Sequence, residues 1–182
     1  VDFRVADRLQ SPAGTMRVIV ANHSSPLDIA ALLAAEPGLT FVAAADLFRV
    51  PLLAAAMRAL RTVAVDRRSR TGVHLSLPPG RPTSDLVLAV FPEGGIAPPG
   101  QRLPFRRSPF ALAIDHGAVV VPVAIHDSDR ALPPGSRLGV RPATVTVEFL
   151  EPITTAGRTL ADRHAVCELA ERRIGEALRR PA

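Results

Sequence analysis

The chain contains no lysine, no tryptophan and no tyrosine, and its only cysteine is Cys167. A lone cysteine excludes an internal disulfide and with it the disulfide-stapled secreted modules, so a cytoplasmic location is expected. With seven phenylalanines as the only aromatic side chains of this kind, few platforms remain for stacking single-stranded bases. No recognised nucleic-acid motif occurs either, and nucleic acid is not an expected partner. No apolar run approaches the roughly 18–20 residues needed to span a bilayer, and no signal-peptide pattern opens the sequence. Any membrane contact is therefore expected to be peripheral. No cluster of His, Cys, Asp or Glu has the spacing of metal ligands, so no metal is expected.

What is present describes a globular chain. Of 182 residues, 47% are hydrophobic and the mean hydropathy is +0.20, which suits one domain over residues 1–182 with a substantial core and excludes disorder. All 22 basic residues are arginine, and the net charge is +5. Guanidinium forks in this number suit phosphate groups or an anionic membrane surface.

Apolar patterning predicts strands alternating with helices. Strands are expected at 16–21, Thr40–Ala43, Thr62–Asp66, Leu86–Phe91, Ala118–Ile125 with an interruption at Pro122, and Ala143–Leu150, the last alternating as if half exposed. The continuous run Leu86–Phe91 reads as a central strand buried on both faces. Helices are expected over Pro26–Ala35, apolar nearly all round and so deeply buried, over Asp46–Arg61, and from Ser108 to a stop at Gly117. A long amphipathic helix, Thr159–Arg180, would turn Leu160, Val166, Leu169, Ile174 and Leu178 inward. Residues 1–15 read as a polar lead-in, and the proline-rich 71–85 and 126–142 read as loops. The expected fold is an α/β sandwich: a single domain with a mostly parallel central sheet flanked by helices.

Two stretches are candidates for chemistry. In Val18–Asp28 an apolar strand runs into a helix, with His23 at the turn and Asp28 five residues on. A histidine there can act as a general base, with the carboxylate fixing its tautomer. The same residues also make a good helix start, with Ser25 as N-cap, Pro26 at the first position and Asp28 closing a capping box. The second stretch, Phe91-Pro92-Glu93-Gly94-Gly95, lies just past the carboxyl end of the central strand, where open α/β sheets bind ligands. Taken alone it also fits a tight turn with an exposed glutamate. His74, His116, His126 and His164 lack such settings and read as surface or core histidines.

Together, Asn22-His23-x4-Asp28 followed by Phe91-Pro92-Glu93-Gly94 resembles the glycerolipid acyltransferase family, of the 1-acylglycerol-3-phosphate (lysophosphatidate) acyltransferase type. Val63-Ala-Val-Asp66-Arg67, Val120-Val121-Pro122-Val123 and Pro104-Phe105-Arg106-Arg107-Ser108 resemble further blocks of that family in the same order. The resemblance implies an O-acyltransferase of phospholipid biosynthesis, located in the cytoplasm or peripherally at the inner membrane face. It would need no cofactor beyond an acyl thioester co-substrate, on coenzyme A or acyl carrier protein, and would acylate a lysophospholipid hydroxyl. By the same resemblance His23 is the base, Asp28 orients it, and backbone N–H groups at the helix start stabilise the oxyanion. Asn22, Arg67, Glu93, Gly94 and Arg106 would bind substrate.

Departures from the pattern bear on the acceptor. Where the family continues Thr-Arg-Ser, with an arginine associated with the acceptor's phosphate, this chain has Gly95, Ile96 and Ala97. Either Arg67, Arg102, Arg106 or Arg107 reaches a phosphate from another direction, with Arg67 and Arg106 foremost, or the acceptor carries none. Transfer to a hydroxyl or amine of a specialised metabolite is thus the alternative, and a non-catalytic acyl-thioester or lipid-binding module is the third reading.

Overall fold

The computed structural model describes residues 1–6, 14–49, 51–59, 62–65, 84, 86–98, 101–136 and 139–180. Arg67, His74 and the proline-rich 71–85 segment, Ser84 apart, lie outside the described residues.

Among the described residues, seven strands form one sheet: β1 (Asp2–Ala6), β2 (Arg17–Ala21), β3 (Thr40–Ala44), β4 (Val63–Val65), β5 (Val87–Val90), β6 (Val119–His126) and β7 (Thr144–Phe149), in the spatial order β1-β7-β6-β2-β5-β3-β4. Every neighbouring pair is parallel except β6 and β7. The described helices that accompany them are α1 (Leu27–Ala35), α2 (Pro51–Ala59), α3 (Ser108–Asp115), the short α4 (Ser128–Ala131) and α5 (Arg163–Arg179). The mostly parallel α/β sandwich expected from the patterning is the fold observed.

The central strands read as continuous apolar runs because both faces are covered. Val18, Val20, Leu86, Leu88, Val120 and Ala124 point into a core shared with α3 and α5. Ile19, Ala21, Val87, Ala89, Val121 and Val123 point to the other face, against Leu32 and Ala35 of α1. This is the burial that parallel strands require. From β2 the chain crosses α1 to β3, beyond β5; from β5 it crosses α3 back past β2 to β6. The connections leaving β2 and β5 thus diverge and open a crevice at the carboxyl ends of the two strands, the place where such sheets bind ligands.

Several expectations are corrected. Residues 2–6 are not a lead-in; they form β1, whose partner β7 lies at the far end of the chain. Within β1, Phe3 and Val5 pack against the core. The strand carrying Pro122 runs unbroken over Val119–His126. The proline is tolerated because the antiparallel ladder to β7 starts one residue later, at Val123, and only the Pro122 carbonyl is engaged there, by Leu150 N–H. α1 is not buried all round: Asp28, Ala31, Leu32 and Ala35 are buried, whereas Ala30 and Ala34 are exposed. The helix expected over 46–61 is a 3-10 turn, Ala45–Arg49, followed by α2. Within 126–142, Ser128–Ala131 form α4. Leu160 does not join the inner face; it lies in a 3-10 turn ahead of α5 and is 44% exposed.

Candidate active site

β2 ends where its backbone ladder to β6 would otherwise stop, and Asn22 extends the pairing with its side chain. Its Nδ2 donates to the Ile125 carbonyl at 2.9 Å, and the Ile125 N–H donates to its Oδ1 at 2.8 Å. Both ends of the buried amide are thereby used to hold the two strand ends together, and the next residue, His23, projects from a fixed point.

The His23 ring is held on two sides. It stacks on Phe91 at the end of β5, with centroids 4.0 Å apart and planes 13° from parallel. Its Nδ1 lies 2.9 Å from Oδ2 of Asp28, which is fully buried in the first turn of α1. With the carboxylate ionised and the ring neutral, Asp28 can only accept, so Nδ1 carries the proton and Nε2 keeps its lone pair. The same Asp28 oxygen accepts the N–H groups of Ser24 at 2.8 Å and Ser25 at 2.9 Å. Asp28 Oδ1 is buried with no partner among the described residues. One carboxylate thus ties the helix start to the histidine ring, while the helix itself begins at Leu27 with Pro26, not Ser25, at its N-cap.

That double use overturns one expectation. The helix-start amides are not free to meet an oxyanion. His23, Ser24, Ser25, Leu27 and Asp28 all already donate, to Glu93, Asp28, Asp28 again, Ser25 Oγ and the Ser25 carbonyl respectively.

Glu93 is not the exposed carboxylate of a surface turn. It is 4% exposed; Oε1 accepts His23 N–H at 3.0 Å and Oε2 accepts Leu103 N–H at 3.1 Å. Burial raises its pKa above the ordinary 4.5, opposed by those two N–H groups and by the charges of Arg102 and His23. Glu93 thus braces the histidine loop against the 101–107 segment, and the Ala97 N–H closes the brace on the His23 carbonyl at 3.0 Å.

Around His23 opens a cavity of about 630 Å³ lined by Asn22, Ser24, Glu93, Arg102, His126 and Arg180 among others. Of the sequence-predicted residues, Asn22, His23 and Glu93 meet here, and Asp28 lies behind His23. Gly94 and Arg106 come together outside the lining: Gly94 has φ +76°, and a Cβ on it would lie 2.6 Å from Arg106 Nε. Sequence reading missed His126, which is no ordinary core or surface histidine. It lines the cavity, with Nε2 3.0 Å from Glu148 Oε2. It ends a buried strand, the same positional signal that marked His23 and Glu93. Asp127 beyond it adopts a left-handed conformation, φ +60°, which aspartate tolerates better than most residues. His116 and His164 are exposed, as expected.

The fold and site are those of an α/β protein with a carboxylate-oriented histidine facing a cavity at the switch point of its sheet. A family model for acyltransferases matches residues 2–126, and the chain belongs to that family. The chloroplastic 1-acyl-sn-glycerol-3-phosphate acyltransferase BAT2 of Brassica napus is 27% identical, over 97% of this chain and 50% of that protein. The 1-acyl-sn-glycerol-3-phosphate acyltransferase beta of Homo sapiens is 29% identical, over 93% of this chain and 62% of that one. Among solved structures, the 1-acyl-sn-glycerophosphate (LPA) acyltransferase PlsC from Thermotoga maritima is similar with a TM-score of 0.70 at 26% identity, covering 100% of this chain and 74% of that one. The chain spans about half the length of the first curated relatives it matches.

Proposed function

We propose that the protein transfers an acyl group from a thioester, on coenzyme A or acyl carrier protein, to a hydroxyl of a 1-acylglycerol-3-phosphate-like acceptor. The observation that carries this reading is the His23–Asp28 pair, 2.9 Å apart, with the ring at the wall of the cavity. His23 Nε2 removes the acceptor's hydroxyl proton as the oxygen attacks the thioester carbonyl, and Asp28 stabilises the imidazolium that forms. The collapsing intermediate expels the thiolate, which takes the proton back from His23. Asn22 and Glu93 act at one remove, by fixing the strand end and the loop from which His23 projects. The names of the similar acyltransferases support the acceptor class.

Transfer to an acceptor without phosphate is the second reading, favoured by Gly95, Ile96 and Ala97 standing where the resembled pattern carries its arginine. The test is a screen of purified protein with acyl-CoA and acyl-carrier-protein donors against 1-acylglycerol 3-phosphate and 1-acylglycerol, following thiol release. Acceptor-dependent release that is lost in His23→Ala is expected. Absence of release with every pair would overturn the reading.

No helix among the described residues is long and apolar enough to cross a membrane. A lipid acceptor would then be reached by peripheral contact, to which surface arginines contribute about 1 kcal/mol each near anionic lipid.

A further inference from the structure

Among the described residues three arginines line the cavity, and they are not equivalent. Arg130 is paired with Asp127 at 3.0 Å, and Arg180 with Glu148. Arg102 has no acidic partner within ion-pair distance among the described residues. Of the carboxylates in the wall, Asp127 is held by Arg130, and Glu93 has both oxygens on backbone N–H groups. Asp129, on α4, would repel an anion from that end.

Arg102 is also seated. Gly175 occupies the buried interior of the 17-residue α5, a position where glycine is less favourable than alanine. A Cβ there would lie 2.7 Å from Arg102 Nη1 and 3.8 Å from its Cζ, so the guanidinium rests directly against the helix backbone. Arg179 Nη1 lies 3.6 Å from the same point, and Arg179 too has no acidic partner among the described residues. Two guanidiniums with no ion-paired carboxylate among the described residues flank one glycine, and one of them reaches the cavity that holds His23. Like charges so close favour an anion that bridges or neutralises them, and a phosphate matches the guanidinium fork.

We infer that Arg102, seated on Gly175 with Arg179 beside it, is the specificity-determining anchor for the phosphate of the acceptor. Arg106, foremost with Arg67 in the sequence reading, packs on Gly94 outside the cavity lining. The inference rests on the acyl-transfer reading for its substrate and names the residue that selects the phosphorylated acceptor.

The experiment compares the parent protein with Arg102→Gln and Gly175→Ala, using 1-acylglycerol 3-phosphate and 1-acylglycerol as acceptors at saturating donor. Arg102 is exposed, so its substitution leaves the fold intact. Arg102→Gln is expected to raise KM for the phosphorylated acceptor about tenfold or more, with KM for 1-acylglycerol unchanged. Gly175→Ala keeps the charge but displaces the flexible guanidinium, and is expected to raise the same KM by less. An unchanged KM in Arg102→Gln, or an equal rise for both acceptors, would overturn the inference. If the parent releases no thiol with either acceptor, the acyl-transfer reading fails separately. Calorimetric binding of 1-acylglycerol 3-phosphate without donor then decides, with weaker binding to Arg102→Gln supporting the anchor and equal binding rejecting it.

Discussion

Oδ2 of Asp28 receives three donors at once, His23 Nδ1 at 2.9 Å and the N–H groups of Ser24 and Ser25 at 2.8 and 2.9 Å. Helix start and imidazole orientation are therefore inseparable, and substitutions at the two residues should behave differently. His23→Ala should lower kcat by about 10²–10⁴-fold and shift the unfolding midpoint less than a change at Asp28, since Asp28 Oδ2 keeps the N–H groups of Ser24 and Ser25. Asp28→Ala should lower kcat comparably and also destabilise the fold by about 1–3 kcal/mol, because the Ser24 and Ser25 N–H groups lose their acceptor. Steady-state rates with denaturant melts of both variants check this; an Asp28→Ala protein as stable and active as the parent would remove the carboxylate from the mechanism.

Glu93 offers two acceptors to two backbone donors, and glutamine offers one acceptor and one donor. Glu93→Gln should leave a buried N–H unpaired and cost about 1–3 kcal/mol, which for a chain of this length is a midpoint drop of roughly 2–4 °C per kcal/mol. Because burial raises the Glu93 pKa above 4.5, its contribution is fully present below that pH and falls as pH rises through the higher folded value. Melts of both proteins across the acid range should show this slope in the parent and not in the variant.

Asn22 joins β2 to β6 through two hydrogen bonds to Ile125. Asn22→Ala should leave both Ile125 backbone groups without partners and cost about 1–3 kcal/mol. It should also lower kcat more than it raises acceptor KM, because it loosens the point from which His23 projects. A rise confined to KM would instead make Asn22 a direct substrate ligand.

Cys167 is buried in α5, and burial pushes its thiol from 9.0 up to about 11. The folded state holds that proton more tightly, so the thiol's stabilising contribution is present below pH 9 and is lost as pH rises through 9 to about 11. Alkaline melts of Cys167→Ala should therefore fall less steeply than those of the parent. Native protein at neutral pH should react slowly with a thiol reagent and rapidly once unfolded; fast labelling of the native protein would contradict the burial.

The parts of the site legible in the sequence are local ones. His23 and Asp28 lie five residues apart across a strand-to-helix turn, and their hydrogen bond needs only that turn to form. The parallel sheet was legible for a related reason: strands buried on both faces carry continuous apolar runs such as Leu86–Phe91. Arg67 and the proline-rich 71–85 segment, singled out in the sequence, lie outside the described residues except for Ser84.

What escaped the sequence depends on partners far along the chain. Glu93 reads as a turn glutamate until the fold places His23 N–H, 70 residues away, on its carboxylate. Asn22 reads as part of a binding motif until Ile125, 103 residues away, takes both ends of its amide. Residues 2–6 become a strand only because β7 offers them an edge. His126 and Gly175 carry no shared local pattern, and nothing local set Arg102 ahead of the other candidate arginines; three separate segments bring them to the cavity or its wall. Periodicity and turn chemistry, which act over a few residues, determined the elements and the histidine–aspartate pair. Hydrogen-bond satisfaction and close packing between distant segments can be evaluated only once the chain is folded, and they decided which groups hold His23 in place and which charges surround it.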